Sequence, residues 1–178
     1  LASVLRFKEP ITAIQILWIN LATDLFPATA LSVEPSELGV MEQKPRDPSE
    51  KIVNSKNSRM MMLIGFIMAL GTLLVFSFSS DSKAQTMAFT TLVLFQMFNV
   101  LNQKSENKSL FKVGIFSNKW LLLAIIVSIA LQALAIYLPA MQAVFGTVSL
   151  TLLDWLVCLG VSASVLVIGE VLKVFRRV

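Results

Sequence analysis

Five apolar segments dominate the 178-residue sequence, and each is long enough to cross a bilayer as a helix, which takes about 20 residues. They cover residues 11–33, 60–78, 84–101, 120–138 and 150–172. No window alternates polar and apolar residues for long enough to predict a membrane β-barrel. With 56% hydrophobic and 15% charged residues, a soluble domain is excluded, because soluble domains carry about 25% charged residues. The sequence therefore predicts an all-α membrane domain of five transmembrane helices.

The basic residues predict how these helices are oriented. Twelve of the 15 lysines and arginines lie in the loop 34–59, in the loop before the fourth span and in the C-terminal tail, whereas Arg6, Lys8 and Lys83 lie on the other side. Basic residues accumulate on the cytoplasmic side of a membrane, so we expect a cytoplasmic C-terminus. This distribution accounts for the net charge of +4. We therefore expect the lipid membrane as a partner, and no nucleic acid.

The residue types exclude several kinds of chemistry. Histidine is absent and Cys158 is the single cysteine, which excludes imidazole metal sites, histidine acid–base catalysis and an internal disulfide. We predict no catalytic and no cofactor-binding residue in this chain, and we expect Cys158 to pack in an apolar run.

Near the ends of the fifth segment, Glu170 is expected to pair with Lys173, and Asp154 is expected to be solvated.

The first apolar segment contains the polar residues with the clearest chemical meaning. Asp24 lies well inside it, where an ionised carboxylate costs at least about 2.5 kcal/mol. Asn20, Thr23 and Asp24 stand at i, i+3 and i+4, which places them on one face of an α-helix. Pro27 clashes with the carbonyl of Thr23 and removes a backbone donor, so we expect a kinked or unwound helix with free carbonyls lining a cavity. Such oxygens suit a hard cation.

Two interpretations of this polar face stay open from the residues alone. In the first, it is an ion site. In the second, Asn20 and Thr23 bridge helices while Asp24 pairs with a basic residue. No lysine or arginine lies inside any of the five segments, and this favours the ion site.

The third apolar segment contains a weaker polar stripe of Gln96, Asn99 and Gln103, spaced i, i+3 and i+7. Gln96 can point its amide oxygen at the same ion. Interhelical hydrogen bonding accounts for Gln96 about as well, and it is the favoured role for Asn99 and Gln103.

Three stretches resemble one family. LWINLATDLFPATALSVEPSELGVMEQKPR (17–46) is similar to the sixth transmembrane helix and following loop of P-type cation-transporting ATPases of the calcium-pump, type II branch. QMFNVLNQKSENKSLF (96–111) resembles the eighth helix and its loop, and GEVLKVFRR (169–177) the C-terminal end. The N-x-x-T-D motif followed by L-F-P-A-T-A-L is the most specific part. The resemblance implies the sixth to tenth helices: residues 1–10 end the preceding helix and form an outer loop, and residues 11–178 form the C-terminal transmembrane domain.

The resemblance also implies a set of ion ligands. Asn20, Thr23 and Asp24 match ligands of the transported cation, which we expect to be Ca²⁺. Gln96 matches a position that is glutamate in two-site pumps and glutamine in some pumps thought to move one calcium per cycle. The resemblance therefore implies Gln96 as a ligand, with one negative charge fewer in the pocket. The cytoplasmic loop 34–59 matches the connector to the phosphorylation domain, which implies that it docks there.

Several parts of such a pump do not occur in this sequence. They are the phosphorylated-aspartate motif D-K-T-G-T, the nucleotide-binding domain and the ion-ligand motif of the fourth helix. The resemblance thus implies the C-terminal membrane part of an ATP-driven ion translocase. ATP and Mg²⁺ belong to the full-length protein, whose remaining helices and cytoplasmic domains are expected partners in the plasma, or bacterial inner, membrane. The alternatives are a stand-alone passive cation channel or carrier, a structural membrane module, and a pump for another cation such as Na⁺ or Mn²⁺.

Overall fold

A computed structural model describes residues 9–35, 55–105 and 109–176. Within these ranges the chain is helical and contains no strand. The elements are α1 (Ala13–Trp18), a π-helix (Ile19–Asp24), α2 (Leu25–Leu31), α3 (Ser55–Phe78), α4 (Ala84–Asn102), α5 (Leu110–Val113), α6 (Lys119–Tyr137), α7 (Pro139–Phe145) and α8 (Leu152–Arg176).

Five helical stretches are long and apolar enough to cross a membrane, as predicted. They are Ala13–Leu31, Ser58–Phe78, Ala84–Asn102, Lys119–Tyr137 and Leu152–Lys173. The first of these spans consists of α1, the π-helix and α2 in succession. The prediction of an all-α domain with five spans is therefore confirmed.

Helix α4 lies at the centre of the bundle. It packs against α3, α6, α8 and the first span, and Phe89, Val93 and Phe95 on it are fully buried. Because α4 has protein on most sides, its polar side chains meet other helices rather than lipid. Any polar group that α4 contributes is therefore available to a site within the bundle.

The two ends of the bundle differ in charge. The end formed by residues 31–35, 102–105, 109–118 and 170–176 is called here the basic end, and the end formed by residues 9–12, 79–83 and 138–151 is called the opposite end. At the opposite end, Gln15 is fully buried and its Nε2 donates a 2.9 Å hydrogen bond to the carbonyl of Phe145. The ring centroids of Trp18 and Phe145 lie 4.8 Å apart. These contacts fasten α7 to the start of the first span.

Three smaller predictions can be compared with the structure. Glu170 pairs with Lys173 at 3.0 Å, as expected, and Cys158 is buried in an apolar cluster. Asp154 is not simply solvated, because its Oδ2 lies 2.7 Å from the ammonium of Lys83. The expectation for Asp154 is wrong because the loop before α4 brings Lys83 to the start of α8, a contact between distant parts of the sequence.

Two predicted regions fall mainly outside the described residues. They are residues 1–8 of the segment assigned to the preceding helix, and residues 36–54 of the loop 34–59. The predicted domain boundary and the docking of this loop therefore stay predictions.

Candidate cation site

A π-helix occupies the part of the first span that contains the predicted ion ligands. Ile19–Asp24 (INLATD) adopts this form between α1 and α2. The wider i→i+5 turn comes directly before the first turn of α2, where Pro27 is buried. Local π geometry is one way in which a membrane helix accommodates proline. Of the predicted kinked or unwound helix, the unwound alternative is wrong, because the span remains helical through Pro27 with a π-helix in place of a break; the kink stays a prediction.

Thr23, Asp24 and Gln96 line one cleft between the first span and α4. The cleft has a volume of about 190 Å³. Its lining residues are Thr23, Asp24, Pro27, Ala28, Leu31, Gln96, Met97, Asn99, Val100 and Gln103. Two helices that are far apart in sequence thus bring three of the four predicted ligands to one space.

Asn20 does not line this cleft. Its side chain is exposed, whereas Thr23 is fully buried and Asp24 is half-buried. The π-helix accounts for the difference: at about 4.4 residues per turn, residues three apart point roughly 115° apart, against about 60° in an α-helix. The prediction of one shared face assumed α-helical geometry and is wrong for Asn20 and Thr23, whereas Asn20 and Asp24, four residues apart, stay within about 35° of each other in a π-helix. The side chain of Asn20 lies on the exposed surface with Leu17 and Leu21.

The residues that line the cleft carry several oxygen atoms that can bind a cation. The hydroxyl of Thr23 donates a 2.7 Å hydrogen bond to the carbonyl of Ile19, and its oxygen lone pairs stay available as acceptors. Asn99 Oδ1 is buried without a hydrogen-bond partner in the structure. Together with the carboxylate of Asp24 and the amide of Gln96, these are oxygens of the kind that hard cations prefer.

Asn99 was not predicted from the sequence to be a ligand of the cation. Its spacing from Gln96 signalled a shared polar face, but interhelical hydrogen bonding was the favoured role. The structure shows Oδ1 without that hydrogen bond and Asn99 at the wall of the cleft. An orphaned acceptor in such a position is suited to a cation or to a water molecule.

Among the described residues that line the cleft, Asp24 carries the single negative charge. The ion pairs found among the described residues lie at the ends of the spans and join Lys83 to Asp154, Lys104 to Glu34 and Lys173 to Glu170. In the same part of the chain, no three residues of the types histidine, cysteine, aspartate and glutamate cluster as metal ligands. Calcium takes six to eight oxygens, so the oxygens of these lining residues would be only part of a calcium coordination sphere.

Comparison with known proteins identifies the family. The family model described as cation transporting ATPase, C-terminus, matches residues 8–175. The chain belongs to this family. The resemblance found from the motifs is thereby confirmed, and with its five spans the chain is a multi-pass integral membrane protein.

Curated relatives match over almost the whole chain. Calcium-transporting ATPase type 2C member 1 of Homo sapiens is 38% identical over 182 residues, covering 99% of this chain and 20% of that protein. Calcium-transporting ATPase 1 of Schizosaccharomyces pombe is 38% identical, with 99% and 20% covered. Calcium-transporting ATPase type 2C member 2 of Mus musculus is 33% identical, with 99% and 19% covered. The chain thus spans about a fifth of the length of these relatives.

Proposed function

We propose that this chain is the C-terminal membrane part of an ATP-driven calcium transporter and that it supplies ligands to the transported ion. The observation that supports this most is the cleft in which Thr23, Asp24 and Gln96 meet. The relatives described above are named calcium-transporting ATPases, which favours Ca²⁺ over Na⁺ or Mn²⁺ as the cargo.

We include Asn20 in the proposed set of ligands, although it lies on the face of the first span next to the one that lines the cleft. Its side chain is exposed in the middle of an apolar helix. Polar residues inside spans face protein or an aqueous path rather than lipid, because an unsatisfied polar group in hydrocarbon is costly. We therefore infer that helices outside this chain cover the face of Asn20 and supply the remaining oxygens that calcium requires.

The rest of the transporter would provide the driving force. ATP and Mg²⁺ would act on cytoplasmic domains outside this chain, and a conformational change there would alter the ligand geometry so that the ion loses affinity. The bias of basic residues supports a cytoplasmic basic end and C-terminus. The loop 34–59, which begins at this end, would dock on the phosphorylation domain. We expect the transporter to lie in the plasma membrane, or in the inner membrane of a bacterium.

The decisive variant is Asp24→Asn in the full-length transporter. Asparagine keeps the size and one oxygen but removes the only carboxylate among the described residues that line the cleft. We expect the calcium concentration for half-maximal phosphorylation by ATP to rise about tenfold or more, a loss of at least about 1.4 kcal/mol of binding free energy. A normal calcium affinity in this variant would defeat the assignment of the site.

Two further measurements sharpen this test. Asp81→Asn is the matched control, because Asp81 is an exposed carboxylate in the turn before α4, and we expect it to leave calcium activation unchanged. Repeating the titration with Mn²⁺ and Na⁺ identifies the cargo. Cation flux through this chain alone in liposomes, without ATP, would instead favour a passive channel or carrier.

A further inference from the structure

We propose that Glu34 is a positioning residue for the cation site: held by Lys104 and Asn118, it fixes the basic end of the helix that carries Asp24. This inference rests on the proposed function of the cleft at Asp24. Neither Glu34, Lys104 nor Asn118 lines that cleft. Any effect on cation binding must therefore act through the position of the first span.

Lys104 is a buried lysine whose ammonium is fully engaged. Its side chain is 0% exposed, and Nζ donates to the carbonyl of Gly114 at 2.8 Å, the carbonyl of Ile115 at 3.2 Å and the hydroxyl of Ser117 at 2.7 Å. Burying an ammonium is costly unless it is paired and hydrogen-bonded. The opposite charge comes from Glu34, whose Oε1 lies 3.5 Å from Nζ. Lys104 thus binds the turn before α6 to the end of the first span.

Asn118 connects the same carboxylate to α6. It is 2% exposed, and its Oδ1 accepts a 2.9 Å hydrogen bond from the backbone N–H of Leu121, which caps α6. Its Nδ2 donates to Glu34 Oε2 at 2.8 Å and to the carbonyl of Ala30 at 2.9 Å. Ala30 lies in the last turn of α2. The end of α2 therefore cannot slide or turn against α6 without breaking these bonds.

The opposite end of the first span is held in a comparable way. Gln15 completes a capping box with Thr12 at the start of α1 and donates to the carbonyl of Phe145 in α7. The first span is thus fastened at both ends to the part of the chain that contains α6 and α7. Between the two attachments lies the π-helix. A movement of Asp24 relative to α6 and α7 must therefore come from the π-helix, unless one attachment is released.

Cation coordination tolerates little displacement of its ligands, so the effect on affinity is substantial. Asp24 directly precedes α2 and Glu34 follows the end of α2 by three residues, so α2 connects the attachment at Glu34 to the ligand. Calcium binds oxygen at about 2.3–2.6 Å, so a displacement of a few tenths of an ångström at Asp24 is enough to weaken coordination. Releasing Glu34 should therefore lower cation affinity without removing any ligand.

The test uses Lys104→Met and Glu34→Gln in the full-length transporter. We expect each to raise the calcium concentration for half-maximal phosphorylation about fivefold or more, with a much smaller change in maximal rate. Lys104→Arg keeps the charge and several donors and should restore normal affinity. Lys112→Met is the matched control, because Lys112 is an exposed lysine close by in α5, and it should behave as the unmodified protein.

The outcomes separate positioning from simple structural support. Reduced protein yield or maximal rate with an unchanged half-maximal concentration would overturn the proposal, and so would wild-type affinity in both variants. If Lys104→Met fails to fold, Glu34→Gln, which keeps the side-chain shape, decides the matter. Normal affinity in Asp24→Asn defeats the proposed function, whereas impaired Asp24→Asn with normal Glu34→Gln defeats the positioning role alone.

Discussion

Gly169 determines how closely α8 approaches α4, and replacing it with alanine is a direct test of this packing. A Cβ at Gly169 would collide with Nδ2 of Asn102 and lie 2.6 Å from Cγ of the same side chain. Asn102 is 4% exposed, and its Nδ2 donates a 3.0 Å hydrogen bond to the carbonyl of Val165. The carboxamide cannot keep this position beside a methyl group. Gly169→Ala must therefore break the bond or push the helices apart.

The expected loss follows from these contacts. Loss of the buried hydrogen bond costs about 1 kcal/mol, and forcing an extra carbon into a packed interface costs about 1–3 kcal/mol. Alanine offsets up to about 1 kcal/mol of this destabilisation, because its helix propensity is higher than that of glycine. We expect the free energy of unfolding to fall by about 1–3 kcal/mol, which at about 2–4 °C per kcal/mol lowers Tm by roughly 2–12 °C.

The single buried cysteine provides the assay. Cys158 is buried between α8 and α4, so its reaction with a thiol-specific dye during heating in detergent reports the opening of this interface. Gly65→Ala is the matched control, because a Cβ at Gly65 meets nothing within 4 Å. Equal melting temperatures for the two alanine variants would refute the reasoning.

Three other substitutions test buried and partly buried polar groups. Gln132 is fully buried with an unpaired Oε1 and a 3.4 Å bond from Nε2, so Gln132→Leu should leave stability unchanged or raise it by about 1 kcal/mol; a clear loss on chemical unfolding would contradict this. Gln15→Leu removes a cap contact and the bond to α7 and should cost about 1–2 kcal/mol; an unaltered Tm would count against that attachment. Asp154→Asn weakens the pair with Lys83 and should cost at most about 1 kcal/mol, less at high salt; a salt-independent loss would exclude a Coulombic origin.

Much of the fold could be predicted because it depends on local properties. A membrane-spanning helix satisfies its own backbone hydrogen bonds and needs only enough consecutive apolar residues. The five spans are therefore readable from hydropathy, and their observed ends lie close to those expected. Asp24 stood out for a similarly local reason, since a carboxylate within an apolar helix is costly wherever the helix packs.

The arrangement of the site depended on tertiary structure. α-Helical spacing predicted Asn20 and Thr23 on one face, but the observed π-helix turns the two side chains apart. Whether a segment forms an α-helix or a π-helix depends on which carbonyl each backbone N–H reaches. The role of Asn99 likewise depends on a neighbouring helix that leaves its oxygen unpaired.

The sequence by itself determined that this chain is a five-span membrane domain with a costly carboxylate in its first span, because length, hydropathy and charge act locally. Only the tertiary structure decided that Gln96 shares a cleft with Asp24 and that Lys104 holds Glu34. Both contacts join residues far apart in the chain. Their formation depends on how α2, α4 and α6 pack together, and the pattern within any one segment does not specify that packing.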